Sequence, residues 1–380
     1  MEEAAAPIEN AKRLEKAKAY EKVHNKLFLA DILLSLGVLV VFIFSGLSSL
    51  LNGHILKVEP HILLHVAIYV VICYIAYSIV FLPLSFYSGY ILEHRFDLSN
   101  ETKKMWFTDY AKSFALNLLF LLIFAEVLHL FLRLTAQWWW IWIGLFWLLF
   151  GIVMSNIFPV VILPLFYKVK PLENKDLVNR LIRLSNVVQA KILGVFEMDL
   201  SRKSNKANAM FTGIGNTKRI ILTDTLVRDY TAEEIESVLA HELGHFFHKH
   251  IWKLIAVSTG ATFIGLYITN ILLGVLVGAG GFSSLTDVAA LPLFALVLSV
   301  FALLVMPVSN TYSRIIEKQA DVFALETTKD PQSFISSMKK LANQNLSNPD
   351  PNPIIEFMLY SHPAISKRIK QAENFQARNK

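Results

Sequence analysis

The sequence predicts a mostly α, polytopic membrane protein of about six helical spans that carries a small α/β unit. Three observations support this fold class. The 380-residue chain is 54% hydrophobic and only 17% charged, whereas soluble domains carry about a quarter charged residues. Long apolar runs recur along the chain. One polar segment between them combines a helix pattern with short strand patterns, as an α/β unit does.

Six apolar runs are long enough to cross a bilayer, since a helical span needs about 20 apolar residues. We place the spans at 27–51, 61–91, 113–134, 138–166, 252–278 and 287–308. The second and fourth are longer than needed, so we expect tilting or kinks there, at Pro83, Pro159 and Pro164. The run QWWWIW at 137–142 is typical of an aromatic belt at a membrane interface.

The basic residues predict an orientation. Ten of them lie before span one or between spans two and three: Lys12, Arg13, Lys16, Lys18, Lys22, Lys26, Arg95, Lys103, Lys104 and Lys112. The short loops on the other side hold only Lys57 and Arg133. Because cytoplasmic loops are enriched in Lys and Arg, we expect both termini and the polar segments 167–250 and 309–380 to be cytoplasmic.

Composition excludes several other classes. The single cysteine, Cys73, rules out an internal disulfide and a multi-cysteine zinc site. The net charge of +6 follows membrane topology and forms no basic stripe among aromatic residues, so we expect no nucleic-acid partner. The first 26 residues are polar and lack the short apolar core of a cleavable signal peptide, so we expect none.

These patterns divide the chain into five parts. A polar N-terminal segment, a four-span region, an α/β unit, a two-span hairpin and a C-terminal cytoplasmic segment are expected at 1–26, 27–166, 167–250, 251–308 and 309–380. Within the α/β unit, helical spacing predicts a helix over 174–189. Short strands are predicted at 194–200, 208–213 and 219–226.

The last helix of that unit carries the sequence HELGH at 241–245. It begins at Thr231, which opens a capping-box pattern. His241 and His245 are one turn apart on one helix face, so both can bind one metal ion. Glu242 lies about 100° round the helix, where its carboxylate can act as a general base on a water molecule.

Two further histidines, His248 and His250, follow closely. His248 lies about 10.5 Å from His241 along a straight helix, so the two cannot share one ion unless the helix breaks. His250 is expected on roughly the opposite face. We interpret both as polar residues at a helix end near the membrane interface.

A third ligand must come from another segment, because catalytic zinc sites use three protein ligands and one open position. Just after span six, Glu317 and Asp321 are four residues apart and share a face if this segment is helical. Glu317 would complete a His–His–Glu site, and Asp321 could accept a hydrogen bond from a ligand histidine. The alternative is a solvated face with ion pairs to Arg314 and Lys318, but span six returns this segment to the side of HELGH, which favours the metal site.

Six motifs then follow in order: LPLSFYSGYILEHRF (82–96), ILPLFYKVKPL (162–172), RKSNKANAMFTGIGNTKRIILTDTL (202–226), HELGH, SRIIEKQAD (313–321) and HPAISKR (362–368). On these motifs the chain resembles the type I CAAX prenyl protease family, membrane-embedded zinc metalloproteases of the gluzincin group, and the resemblance extends over most of residues 60–370. Members enclose a large water-filled chamber within their helices, with the zinc near its cytoplasmic end. Eukaryotic members have seven spans, whereas this sequence shows six.

The resemblance implies one Zn²⁺ per chain and an active site of eight residues: the ligands His241, His245 and Glu317, the base Glu242, Asp321 beside the ligands, and Asn208, His362 and Arg368 lining the site. Asn208 lies in KANAMF, whose alternation suits an edge strand, and an extended substrate could add to that edge. His362 or Arg368 could donate to the developing oxyanion, or Arg368 could instead pair with Asp321.

We therefore expect a zinc-dependent endopeptidase that acts on membrane-associated substrates, in the first place CAAX-type prenylated proteins. A broad quality-control protease for membrane proteins is an alternative. A second is an ion-coupled transporter that uses Glu126 and His129 of span three, since ionisable residues inside a membrane usually have a function. A wetted chamber wall explains these two residues, and His65, more economically than an ion relay.

Overall fold

The computed structural model describes residues 11–213 and 215–379. Its first five helices are α1 (Ala11–Phe44), α2 (Leu47–Val58), α3 (Ile62–Arg95), α4 (Lys103–Leu134) and α5 (Trp139–Phe166). All of them except the short α2 are long and apolar enough to cross a membrane.

The first predicted span is wrong at its C-terminal end. We predicted one span over 27–51, but α1 ends at Phe44 and the short α2 follows. The break lies at Gly46, whose φ of 77° is left-handed and is tolerated best by glycine. Helices α3 and α5 each contain a π-helical turn, at Tyr87–Leu92 and Phe158–Ile162, close to their prolines.

The polar segment after α5 folds into helices around a four-stranded sheet. Its elements are β1 (Val169–Pro171), α6 (Lys175–Val187), β2 (Val195–Met198), β3 (Ala209–Thr212), β4 (Arg219–Thr223), α7 (Asp224–Asp229) and α8 (Ala232–Phe247). The strand order is β1-β2-β4-β3, and only the β2–β4 pair is parallel. The helix predicted over 174–189 and the strands predicted in 194–200 and 208–213 are confirmed, whereas in 219–226 the strand gives way to α7 after Thr223.

Strand β3 lies at an edge of this sheet, as its alternating sequence predicts. It pairs antiparallel with β4, with Ala209 opposite Leu222 and Thr212 opposite Arg219. In the described part of the chain, the other side of β3 pairs with no strand. An open strand edge therefore lies beside α8, which packs against β3.

The core of the α/β unit holds α8 in place. Its fully buried side chains come from α6, the central strand β4, α7 and α8: Leu181, Ile220, Leu222, Leu226, Leu239 and Leu243. The capping box predicted at the start of α8 is confirmed. Thr231 Oγ1 accepts the Glu234 N–H at 3.3 Å, and the Glu234 carboxylate accepts the Thr231 N–H at 2.8 Å.

Five helices complete the described chain, the two long ones first: α9 (His250–Ala279), α10 (Leu291–Thr328), α11 (Pro331–Gln344), α12 (Pro353–Leu359) and α13 (Ile365–Arg378). Both α9 and α10 are candidate spans, which brings the described spans to the predicted six. Span six and the segment with Glu317 form one continuous helix, so α10 runs across the boundary that we predicted at 308.

Helices α8 and α10 approach closely at Gly244. A Cβ atom on Gly244 would lie 3.0 Å from Ala320 Cα and 3.2 Å from Phe323 Cβ. Two of these three positions therefore carry a small residue where the helices cross. The close packing sets how far the segment around Glu317 stands from the histidines of α8.

We predict that Gly244→Ala lowers stability by about 1–3 kcal/mol, because the new methyl group meets backbone atoms that can yield only by moving α10. Thermal unfolding of the purified protein in detergent measures the change. Gly260→Ala in α9 is the matched control, since a Cβ atom there meets nothing within 4 Å. Equal melting temperatures for the two variants would show that the helices do not pack as closely as described.

Candidate metal centre

Helices α8 and α10 bring His241, His245 and Glu317 together. His241 Nε2 lies 3.2 Å from His245 Nε2 and 3.1 Å from Glu317 Oε2. His245 Nε2 lies 3.4 Å from Glu317 Oε1. One possible ligand atom from each residue lies within 4.8 Å of the others, and the described residues hold no second such group of His, Cys, Asp or Glu.

This trio fits a divalent metal ion. Two imidazoles and one carboxylate form a ligand set that catalytic zinc sites use. Glu317 is buried, and its Oε2 atom receives no hydrogen bond of acceptable geometry although His241 is near. A buried acceptor without a partner is costly. A cation between the three side chains would satisfy this oxygen.

Asp321 and Arg368 hold His241 from the other side of its ring. Asp321 Oδ1 lies 2.8 Å from His241 Nδ1 and accepts its hydrogen bond. Arg368 donates from Nε to Asp321 Oδ2 at 2.9 Å and from Nη2 to Oδ1 at 2.6 Å. All three residues are buried. A proton on Nδ1 leaves Nε2 directed at the other two ligands, as in known histidine ligands of metals.

The contact with Asp321 bears on the two roles that we considered for Arg368. Its guanidinium forms a bidentate ion pair with the Asp321 carboxylate, the strongest geometry for an Arg–carboxylate pair. Removing one partner of a buried ion pair leaves an uncompensated charge. Arg368 is therefore engaged with Asp321, and through it with His241, which favours the pairing role.

The two ligand histidines differ in protonation. Burial opposes a charge on His241, but the neighbouring carboxylates of Asp321 and Glu317 outweigh it and raise the pKa of His241 to about 9. Burial and the neighbouring His241 lower the pKa of His245 to about 4. In the metal-free protein at neutral pH, His241 therefore carries an extra proton and His245 is neutral.

A cavity of about 480 Å³ opens beside these residues. Five predicted residues line it: Asn208, His241, Glu242, His362 and Arg368. Burial raises the pKa of the Glu242 carboxyl, which makes its carboxylate a stronger base. His362 has an exposed side chain whose Nε2 lies 3.5 Å from Glu317 Oε1. The structure thus gathers all eight residues that the sequence singled out.

The prediction for His250 was wrong. Helix α8 ends at Phe247, and Lys249 takes a left-handed φ of 55°, so the chain turns and α9 begins at His250. His250 is completely buried. Its Nδ1 lies 3.0 Å from His245 Nδ1, and its Nε2 lies 2.9 Å from Gln319 Oε1.

Sequence reasoning missed this contact and Gln319 altogether, because a lysine in the left-handed region gives no signal of the kind that glycine gives. His248 does not belong to the group of possible metal ligands formed by His241, His245 and Glu317. Its ring packs against those of Phe247 and His250.

Three ionisable residues of the membrane helices have separate surroundings. His129 Nε2 lies 3.0 Å from the carbonyl oxygen of Thr286. His65 Nε2 lies 2.6 Å from Asn52 Oδ1. Both carboxylate oxygens of Glu126 are buried and have no hydrogen-bond partner among the residues that the structure describes. Among the residues that the structure describes, no direct hydrogen bond therefore joins these three groups to one another.

Comparison with known proteins gives a consistent result. The family model of peptidase family M48 matches residues 171–376, and that of the CAAX prenyl protease N-terminal region, with five membrane helices, matches residues 2–168. YhfN, an uncharacterized metalloprotease of Bacillus subtilis, is 30% identical over 94% of this chain and 84% of its own length. CAAX prenyl protease 1 of Saccharomyces cerevisiae is 32% identical over 77% of this chain and 68% of its own. The crystal structure of S. mikatae Ste24p matches with a TM-score of 0.83 at 26% identity, covering 95% of this chain and 88% of that one.

We predict that zinc binding at neutral pH releases about one proton per ion, because a pKa of about 9 keeps His241 protonated in the metal-free protein. Below that pKa, protons compete with the metal, so affinity should weaken about tenfold for each unit of falling pH. Calorimetric titration in buffers of different ionisation enthalpy counts the protons. If zinc binding released no proton between pH 6 and 8, His241 would not be protonated in the metal-free protein, and the prediction would be wrong.

Proposed function

The chain belongs to peptidase family M48, and we propose that it is a zinc-dependent endopeptidase that cleaves CAAX-type prenylated proteins. The membership makes it an integral, multi-pass membrane metalloendopeptidase that acts on peptide or protein substrates. One observation carries the proposal. The HELGH helix and Glu317 meet beside both a cavity and an open strand edge, so ligands, base and a place for substrate adjoin one another.

His241, His245 and Glu317 are the residues that would hold the metal. When bound, zinc supplies Lewis acidity, which polarises a carbonyl oxygen and acidifies water. Asp321, fixed by Arg368, keeps the Nε2 atom of His241 directed at the site. These two residues act through the ligand and need not touch the substrate.

Glu242 is the proposed general base. It takes a proton from the attacking water and delivers it to the leaving amine, which is the usual role of the glutamate in this motif. Its position on the cavity wall places the carboxylate next to the ligands, and its raised pKa favours proton uptake. His362 extends into the same cavity, where its imidazole can donate a hydrogen bond to the substrate carbonyl oxygen as negative charge develops.

The open edge of β3 is the proposed binding site for an extended substrate. An extended peptide can add there through main-chain hydrogen bonds, which fixes its register beside the catalytic residues. Asn208 precedes β3, and its backbone N–H and C=O are both engaged by Thr223, each at 3.0 Å. Its exposed side chain lines the cavity and is therefore the part that is available to hold the substrate backbone.

The membrane helices explain why prenylated substrates are proposed. The basic residues in the first part of α1, at the end of α3 and at the start of α4 support a cytoplasmic position for the metal centre. A lipid anchor inserted in the bilayer would hold a substrate terminus close to that surface. The region 309–380 completes the centre, since it supplies Glu317, Asp321 and Arg368.

A broad quality-control protease is the second candidate. Recognition through main-chain hydrogen bonds at a strand edge selects little among substrate side chains, so the β3 edge suits varied substrates as well. The two candidates share one chemistry and differ in whether the lipid is needed.

Glu242→Gln tests the chemistry. We expect turnover of a peptide substrate to fall about 10²–10⁴-fold, because the base is lost, while zinc content stays unchanged. The matched control is Glu236→Gln on the same helix, where the carboxylate pairs with Arg180 away from the cavity. Full proteolysis by the Glu242→Gln variant would exclude the proposed mechanism.

Mass spectrometry of cleavage products tests the substrate class. A prenylated CAAX peptide and its unmodified twin are each given to the protein in lipid vesicles. We expect kcat/KM to be at least about tenfold higher for the prenylated peptide, since its lipid concentrates it at the membrane. Equal values would instead favour the quality-control protease.

A further inference from the structure

Each ligand histidine needs a partner on its second ring nitrogen, because that partner fixes the tautomer and the ring orientation. Asp321 fills this place for His241. For His245 the corresponding nitrogen is Nδ1, and its hydrogen-bond partner among the described residues is neither a carboxylate nor a carbonyl oxygen. It faces Nδ1 of His250 at 3.0 Å.

The hydrogen bonds determine which nitrogen carries each proton. Gln319 Oε1 can only accept, so His250 must donate from Nε2 at 2.9 Å. His250 is completely buried, which disfavours a second proton on its ring. Its Nδ1 is then an acceptor, and His245 must donate from Nδ1. His245 Nε2 is left with a free lone pair, on the side where it lies 3.4 Å from Glu317 Oε1.

The fold supplies this arrangement through two features. The left-handed Lys249 turns the chain so that His250, the first residue of α9, comes back against His245. On α10, Gln319 lies between Glu317 and Asp321 in sequence. Helix α10 therefore contributes the ligand Glu317 and the partner of His241, Asp321. It also contributes Gln319, which bonds His250, the partner of His245.

We propose that His250 and Gln319 are positioning residues that set the tautomer of His245 and so prepare its Nε2 atom to bind the metal. This inference rests on the metal site of the proposed function. A merely structural role would give His250 a packing function with no influence on metal binding. Metal affinity and the spectrum of the bound ion separate the two roles.

The experiment titrates Co²⁺ into metal-free, full-length protein and records affinity and the visible d–d spectrum. Gln319→Leu removes the acceptor at an exposed position, so folding should be retained. We expect it to weaken Co²⁺ binding about 10–100-fold and to change the spectrum. Gln319→Glu keeps an acceptor and should restore affinity to within about threefold of the natural protein. His248→Ala, which leaves both hydrogen bonds in place, should bind Co²⁺ normally.

The outcomes separate this inference from the function on which it rests. If His245→Ala loses Co²⁺ while Gln319→Leu binds it with unchanged affinity and spectrum, the positioning role is overturned and the metal site stands. If His245→Ala binds Co²⁺ as tightly as the natural protein, the metal site itself is wrong, and the inference falls with it. Loss in Gln319→Leu with recovery in Gln319→Glu supports the proposal.

Discussion

The crossing of helices α8 and α10 is the contact on which the rest of the site depends. Gly244 lets α10 come close, and the buried ion pair of Asp321 with Arg368 then engages His241. An ion pair of this kind is expensive to break on one side only, since the remaining charge stays buried. The crossing therefore fixes Glu317 against the two histidines at a separation that one metal ion can bridge.

The same crossing connects the chemistry to the membrane. Because α10 is one helix from Leu291 to Thr328, the segment that supplies Glu317 continues a candidate span. Helix α9 begins directly after the HELGH helix, so both halves of the centre are attached to long apolar helices. The α/β unit contributes the open β3 edge, against which α8 packs. A substrate held at the bilayer would thus meet ligands, base and strand edge in one place.

Local patterns predicted much of this arrangement. The capping box, the HELGH helix and the β3 edge follow from signals within a few residues. Glu317 and Asp321 required one more step, the return of span six to the same side. The role of Arg368 could not be chosen from the sequence, because it depends on a contact between distant helices. His250 and Gln319 were missed for the same reason, together with a left-handed lysine that no pattern announces.

Anomalous diffraction at the zinc absorption edge tests the central claim most directly. Crystals of the zinc-loaded protein should show one anomalous peak per chain, bound by His241 Nε2, His245 Nε2 and the Glu317 carboxylate, and Glu317→Gln should weaken or abolish it. A peak whose ligands include His248 or His250, or one that persists unchanged in Glu317→Gln, would contradict the account, because the α8–α10 crossing would then not be what builds the metal centre.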